Sequence, residues 1–277
     1  DIEQPECNAL AVEWFDAKLK QVNIELQEQF KQYRISEALM TVYKLFWDEF
    51  SSWYLEMIKP TYLNGEAQPI DHKTYEATIG FFDNLLKMLH PFMPFITEEL
   101  WQHITERKQG ESIMRATLQL EAPKNNDERI INDIEVVKQI VGNIRTVRNQ
   151  KNIAPKELLV LQAIGENEMS AYNSIILKMA NLKSIEVVAE KSTDSSNFMV
   201  GTNEYAVPLG DLIDVAAEIE KAEKELQHLE GFRKKLGNEN FVAHAPEAVV
   251  ARERKKESDS VEKIAALKQT IEELKKK

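Results

Sequence analysis

The run Ser36-Glu37-Ala38-Leu39-Met40-Thr41-Val42-Tyr43-Lys44-Leu45-Phe46-Trp47-Asp48-Glu49-Phe50-Ser51-Ser52-Trp53-Tyr54-Leu55-Glu56-Met57-Ile58-Lys59-Pro60 decides the fold class. Leu39, Val42, Tyr43, Phe46, Phe50, Trp53, Tyr54 and Met57 recur three or four residues apart, the spacing of one wide apolar helix face. Ser36 reads as the N-cap, and Pro60 stops the helix because it offers no N–H and clashes with the preceding turn.

The pattern repeats on both sides. Before it, Leu10, Trp14, Leu19, Val22, Leu26 and Phe30 mark a helix from Ala9 to about Tyr33. After a loop marked by Asn64-Gly65 and Pro69, Asp71 caps a third helix with the stripe Tyr75, Ile79, Phe82, Leu86 and Leu89. Pro94 suits the first turn of a fourth helix carrying Ile96, Leu100 and Ile104. A fifth runs from about Glu128 to Gln150, with Ile131, Ile134, Val137, Ile140, Val141, Ile144 and Val147 on one face, and Pro155 ends that region. Five amphipathic helices without a strand pattern between them predict an antiparallel helical bundle over residues 1–155.

From 156 to 210 the period changes. Glu157–Ile164, with Leu158, Leu159, Val160 and Leu161, reads as a short buried strand, 167–180 as a helix, Ser184–Ala189 as a strand, and 198–200 with 204–207 as a hairpin around Gly201-Thr202-Asn203. This is a small α+β unit. From 211 to 277 the chain is helical again, with Leu212, Val215, Ile219, Ala222, Leu226 and Leu229 before Gly237, and Ile264, Leu267, Ile271 and Leu274 after Pro246. Two heptad helices around a short break predict an antiparallel coiled-coil hairpin projecting ~40 Å. The fold class is thus mainly α: bundle, small α+β unit, coiled-coil hairpin.

Composition narrows the function. The chain has 277 residues, 43% hydrophobic and 29% charged, which predicts a soluble globular protein of roughly two domains. No apolar run reaches the ~18 residues of a membrane span, and the polar start has no signal-peptide pattern. The absence of an initial Met suggests a piece of something longer. The single cysteine, Cys7, forbids an internal disulfide and suits a reducing, cytoplasmic setting. No Gly-rich phosphate loop, nucleophile elbow, zinc spacing or positioned carboxylate pair is present, so no catalytic, cofactor or metal residue is assigned.

The net charge of −11 argues against a general nucleic-acid binder, because phosphate contacts need Lys and Arg. The charge is unevenly spread, however. Within Phe232–Lys256 seven cations (Arg233, Lys234, Lys235, Arg252, Arg254, Lys255 and Lys256) face three acids (Glu239, Glu247 and Glu253). Arg233 also occupies a seam position where Leu would stabilise more. A basic tip on a narrow stalk can touch a polyanion away from an acidic body, although a charge run is also what a solvated face looks like. Arg145 and Arg148, three apart near the end of the fifth helix, read either as dipole complements or ion-pair partners, or as contacts to RNA; Arg34 and Lys151 are weaker candidates of the same kind. For Trp14, Trp47, Trp53 and Trp101 burial in the core is the favoured reading over stacking on RNA bases.

The wording of the tip, Lys235-Leu236-Gly237-Asn238-Glu239-Asn240-Phe241-Val242 followed by Ala245-Pro246-Glu247-Ala248-Val249-Val250 and Glu253-Arg254-Lys255-Lys256, resembles the C-terminal coiled-coil arm of bacterial valyl-tRNA synthetases. Tyr33-Arg34-Ile35-Ser36-Glu37-Ala38, Phe46-Trp47-Asp48-Glu49-Phe50, the segment Trp53 to Lys59, the segment Leu89 to Trp101, and Ile144 to Asn149 with Asn152-Ile153-Ala154-Pro155 resemble the anticodon-binding bundle of class I synthetases for branched apolar amino acids. Related leucyl, isoleucyl and methionyl enzymes share the bundle motifs; the basic hairpin narrows the resemblance to valyl.

The resemblance implies a tRNA-recognition fragment. The bundle would meet the anticodon stem-loop through Arg34, Arg145, Arg148 and Lys151. The arm would meet the tRNA elbow through Arg233, Lys234, Lys235, Arg252, Arg254, Lys255 and Lys256. The implied partner is tRNA(Val), with no DNA or membrane, acting on a monomer. The family's His-Ile-Gly-His-type and Lys-Met-Ser-Lys-Ser-type loops are absent, so ATP-dependent joining of valine would belong to a catalytic domain this chain does not contain, and the chain alone would be inactive. An isoleucyl- or leucyl-type fragment and a coiled-coil protein-interaction scaffold are the rival readings.

Overall fold

The computed structural model describes residues 2–60, 62–63, 66–210, 223–224 and 226–227. The elements in order are α1 Glu6–Lys31, α2 Ile35–Lys44, a π-helix Leu45–Tyr54, α3 Leu55–Ile58, β1 Tyr62–Leu63, β2 Glu66–Ala67, α4 His72–Leu89, α5 Pro94–Ile104, a short 3-10 turn Ile113–Arg115, α6 Asp127–Gln150, β3 Leu159–Ile164, a second 3-10 turn Ser170–Tyr172, α7 Asn173–Ala180, β4 Leu182–Val188, β5 Ser195–Val200 and β6 Asn203–Pro208. The expected coiled-coil hairpin falls almost wholly outside the described residues. The chain forms two compact units, one of residues 1–147 with 155–208, the other of 148–154 with 209–277.

In the first unit the core is aromatic. Phe15 meets Phe50, Tyr54 and Phe81 at 5.0–5.3 Å between ring centroids, and Phe50 stacks on Tyr54 at 5.4 Å. Five residues of the α6 stripe, Ile134, Val137, Ile140, Val141 and Ile144, are completely buried, as their spacing requires. Asp71 caps α4 by accepting from Thr74 N at 2.8 Å, and Pro94 stands in the first turn of α5. Both follow from local chemistry: a short carboxylate takes an orphan N–H, and proline loses nothing where no donor is needed.

Several sequence expectations fail for identifiable reasons. Ser36 is not the N-cap of α2; Arg34 is, and its carbonyl accepts from Ala38 N at 3.0 Å. Tyr33, at φ +59°, turns the chain so that the helix starts two residues earlier than the serine would have it. The long helix containing Trp47 is not regular. Between Leu45 and Tyr54 it widens to five-residue hydrogen bonding, seen where Leu55 N reaches Phe50 O. The buried face runs through Ala38, Val42 and Leu45 at regular spacing, so Leu39, Tyr43 and Trp47 face outward, and the widened turns then shift it by one residue to Phe50 and Tyr54. Trp47, read as core, is 58% exposed.

The α4 and α5 stripes are also displaced. Leu86 of the expected α4 stripe is buried, but Tyr75, Ile96 and Leu100 are exposed, and the buried faces also carry Thr74, Phe81, Leu85 and Met88 on α4 and Thr97 and Trp101 on α5. Thr74 and Thr97 turn inward because their hydroxyl groups are satisfied, Thr97 by His90 Nδ1 at 2.7 Å and Thr74 by Gln4 at 3.0 Å. A small hairpin, β1 with β2, interrupts the helices where no strand was expected.

The α+β unit is one four-stranded sheet in the order β4-β3-β6-β5. β3 and β4 are parallel, joined through α7, and the other pairs are antiparallel. Leu159, Leu161 and Ala163 of β3 are fully buried, whereas Leu158 lies just before the strand and is exposed. Tyr172 OH donates to Asp133 on α6 at 2.9 Å, tying this sheet's crossover to the bundle.

Candidate nucleic-acid interface

Arg145 is exposed near the end of α6, yet its guanidinium is held. Nη2 donates to Met179 O at 3.1 Å, and the group lies 5.5 Å from the Trp53 ring centroid. Trp53 also faces Lys138 Nζ at 5.7 Å, two turns back along α6. Lys138 differs from Arg145 electrostatically. It pairs with Glu49 and with Glu135, and lies 4.9 Å from the Trp14 ring, so its charge is matched inside the bundle. Arg145 has no ion pair among the described residues. It is therefore a pre-positioned cation whose charge remains directed to solvent, a suitable arrangement for a phosphate or a base edge.

Arg148 was expected to share that face. Three residues are 60° short of a full turn, enough to carry it across the edge of the buried stripe. Its residue is 6% exposed and Nη1 donates to Ala154 O at 3.1 Å. The same segment closes α6: Asn152 adopts the left-handed conformation at φ +54°, Ile153 N bonds Arg148 O at 2.9 Å, and Asn152 N reaches Asn149 O at 3.5 Å. This is a helix-terminating hydrogen-bond pair with Asn in the usual glycine position. Lys151 sits within that turn, half-buried.

Arg34 lies elsewhere. The N-terminal half of α1 is tied to the Arg145 end of the bundle, since Cys7 Sγ meets Met57 O at 3.4 Å and Asn8 bonds Asp71 at 3.2 Å. Arg34 follows the other end of the 26-residue α1, about 35–40 Å away at the helical rise. There it makes an exposed 3.4 Å ion pair with Glu37. The first unit thus does not bring Arg34 and Arg145 to one nucleotide. Trp14 and Trp101 are buried as expected, and Trp53 is half-buried. The arm residues Arg233, Lys234, Lys235, Arg252, Arg254, Lys255 and Lys256 lie outside the described residues. Sequence reasoning missed the support that Trp53 and Met179 give Arg145. They come from distant segments, and no periodicity links them.

Among the described residues no helix is long and apolar enough to cross a membrane.

Residues 12–165 match the anticodon-binding domain of tRNA ligases, and residues 214–275 match the valyl tRNA synthetase tRNA binding arm. The valine–tRNA ligase of Phocaeicola vulgatus is 57% identical over the whole chain, and that of Bacteroides thetaiotaomicron 54%. The valine–tRNA ligase of Christiangramia forsetii is 42% identical over 99% of the chain. The chain spans about 31% of the length of each of these relatives. With a helical anticodon-binding match over more than half its length and a valyl-type arm beyond it, the chain belongs to the anticodon-binding family of tRNA ligases, in its valyl-tRNA synthetase branch.

Proposed function

We propose that this chain is the tRNA-recognition portion of a valyl-tRNA synthetase. The bundle, residues 1–155, meets the anticodon stem-loop of tRNA(Val), and the arm, residues 211–277, meets the outer corner of the folded tRNA. The observation that carries this reading is the presence of both matches, anticodon-binding and valyl-type arm, in one chain. The arm match supports the valyl reading over an isoleucyl or leucyl one.

In this reading Arg145 is the leading contact on the bundle, because Trp53 and Met179 O fix its direction before RNA arrives. Lys151 adds charge at the end of α6. Arg148 acts by holding the turn that carries Lys151. Arg34 touches backbone further along the stem. The seven arm cations supply the salt-sensitive part of the affinity. The chain acts on RNA as a cytoplasmic monomer and performs no chemistry itself; attachment of valine with ATP belongs to a catalytic domain outside it.

The test is binding of purified tRNA(Val), native against anticodon-swapped, to this chain. Tighter binding of the native tRNA is expected, with Arg145→Ala removing most of the difference. Equal binding of both tRNAs would overturn the anticodon assignment.

A further inference from the structure

The outward face of α4, with the end of α5 and the segment 105–119, lines an open groove of about 1130 Å³. The segment is pinned on both sides. Asn84 clasps Gln119 through two backbone bonds, at 2.9 and 3.1 Å, and Glu98 holds Ser112 Oγ at 2.6 Å. The groove is therefore a built feature of the fold.

A charge trio lies within it. Asp83 pairs with Lys87 at 2.5 Å and with Arg107 at 2.9 Å, and the three side chains are only 17%, 9% and 18% exposed. The Arg107 guanidinium stacks 3.6 Å from the Trp101 ring centroid, and its Nε donates to Trp101 O at 3.3 Å. One carboxylate between two cations leaves a sheltered excess of positive charge. Lys108 and Arg115 add two exposed cations, neither with an ion pair among the described residues. The other lining carboxylates are Glu76 and Glu111, and Glu111 already accepts from Lys108 N at 3.0 Å. Four cations against three carboxylates make this groove net positive on a chain of net charge −11.

The excess is a single positive charge, and the low-dielectric wall beside it strengthens its pull on an anion relative to open solvent. The groove is open along its length, which leaves room for more than one nucleotide. Tyr75 contributes a 53% exposed aromatic ring to the same groove, and the space beside Gly80 is open. Cations beside an available aromatic face are the means by which unpaired nucleotides are held.

We propose that this groove is a second RNA-binding site that takes single-stranded nucleotides, with backbone phosphate on Arg107, Lys108 and Arg115 and a base against Tyr75. The proposal rests on the RNA-binding reading but uses neither Arg145 nor the arm.

The test is a titration of the isotope-labelled chain with a short single-stranded oligouridylate, following the Trp101 indole N–H signal, which senses the guanidinium above its ring. Uridine monophosphate and a short polyglutamate are titrated alongside. The oligouridylate should move the signal at lower concentration than the mononucleotide, and polyglutamate should leave it in place. The pair Lys108→Glu with Arg115→Glu, both exposed so that the fold is kept (checked by the melting temperature), should weaken oligouridylate binding about tenfold. Tyr75→Ala should weaken the oligouridylate while leaving inorganic phosphate binding unchanged. An unmoved Trp101 signal, an equal response to polyglutamate, a mononucleotide as effective as the oligomer, or indifference to the charge reversal would each overturn the site. Discrimination between native and anticodon-swapped tRNA(Val) is measured on the same variants. It survives failure of the groove, and the Trp101 response is read whether or not that discrimination exists.

Discussion

Glu98 accepts from Ser112 Oγ at 2.6 Å, Gln102 Nε2 at 2.8 Å and Ile113 N at 3.2 Å. The Ser112 bond chiefly, then the Gln102 bond, holds its carboxyl below the ordinary range of about 4.3. A carboxylate with a lowered folded pKa stabilises the fold above its unfolded pKa and loses that contribution as pH falls through the folded value. Thermal unfolding followed from neutral to acid pH should therefore show a decline below roughly pH 4.5, and Glu98→Gln should flatten that part of the curve. Arg145 and Arg148 separate at this same scale. Arg148→Ala removes the charge-assisted bond from a buried guanidinium to Ala154 O and should cost about 1.5–3 kcal/mol in urea unfolding. Arg145→Ala should change stability by well under that and instead weaken tRNA binding. A double-mutant cycle of Trp53→Leu with Arg145→Ala should show a coupling of about 0.5–1 kcal/mol in stability, the range of an exposed cation–π contact; additive effects would mean the ring does not hold the guanidinium.

Helix ends were legible at Asp71, Pro60 and Pro94, though not at Ser36, where the observed cap is Arg34. Asp71, Pro60 and Pro94 act on their own neighbours, so their effects need no tertiary information. The α6 stripe was legible too, because every apolar residue at its spacing found the core. The inward faces of α4 and α5 were not. Thr74 and Thr97 look polar in a sequence, but each is buried with its hydroxyl bonded to a residue of another segment. Trp47 was misread because the buried face is narrower than the apolar stripe: it runs through Ala38, Val42 and Leu45 and leaves Trp47 outside it. The mixed sheet was read as strands, while its order depends on long-range pairing. Of the candidate interface, the basic residue types were legible; the support of Arg145 by Trp53 and the inward turn of Arg148 were not. At the element scale, Asp71→Ala should lower stability by about 1 kcal/mol or more, since α4 loses its cap and Asn8 loses a buried partner. A melting temperature unchanged by that substitution would show that the cap contributes nothing.

At the scale of the molecule, an acidic chain is proposed to hold RNA by concentrating cations where contact occurs and leaving the rest of the surface repulsive. The cations of the arm are gathered in one short segment, so most of the electrostatic affinity is assigned to the arm. Counterion release makes this measurable, because each phosphate contact adds to the steepness with which affinity falls as salt rises. The decisive measurement is the salt dependence of tRNA(Val) binding by the intact chain and by the variant with Lys234, Lys235, Lys255 and Lys256 all changed to Ala. The account predicts weaker binding for the variant and a log–log salt slope shallower by about one for each lysine that met a phosphate. A variant with the same affinity and the same slope as the intact chain would contradict it.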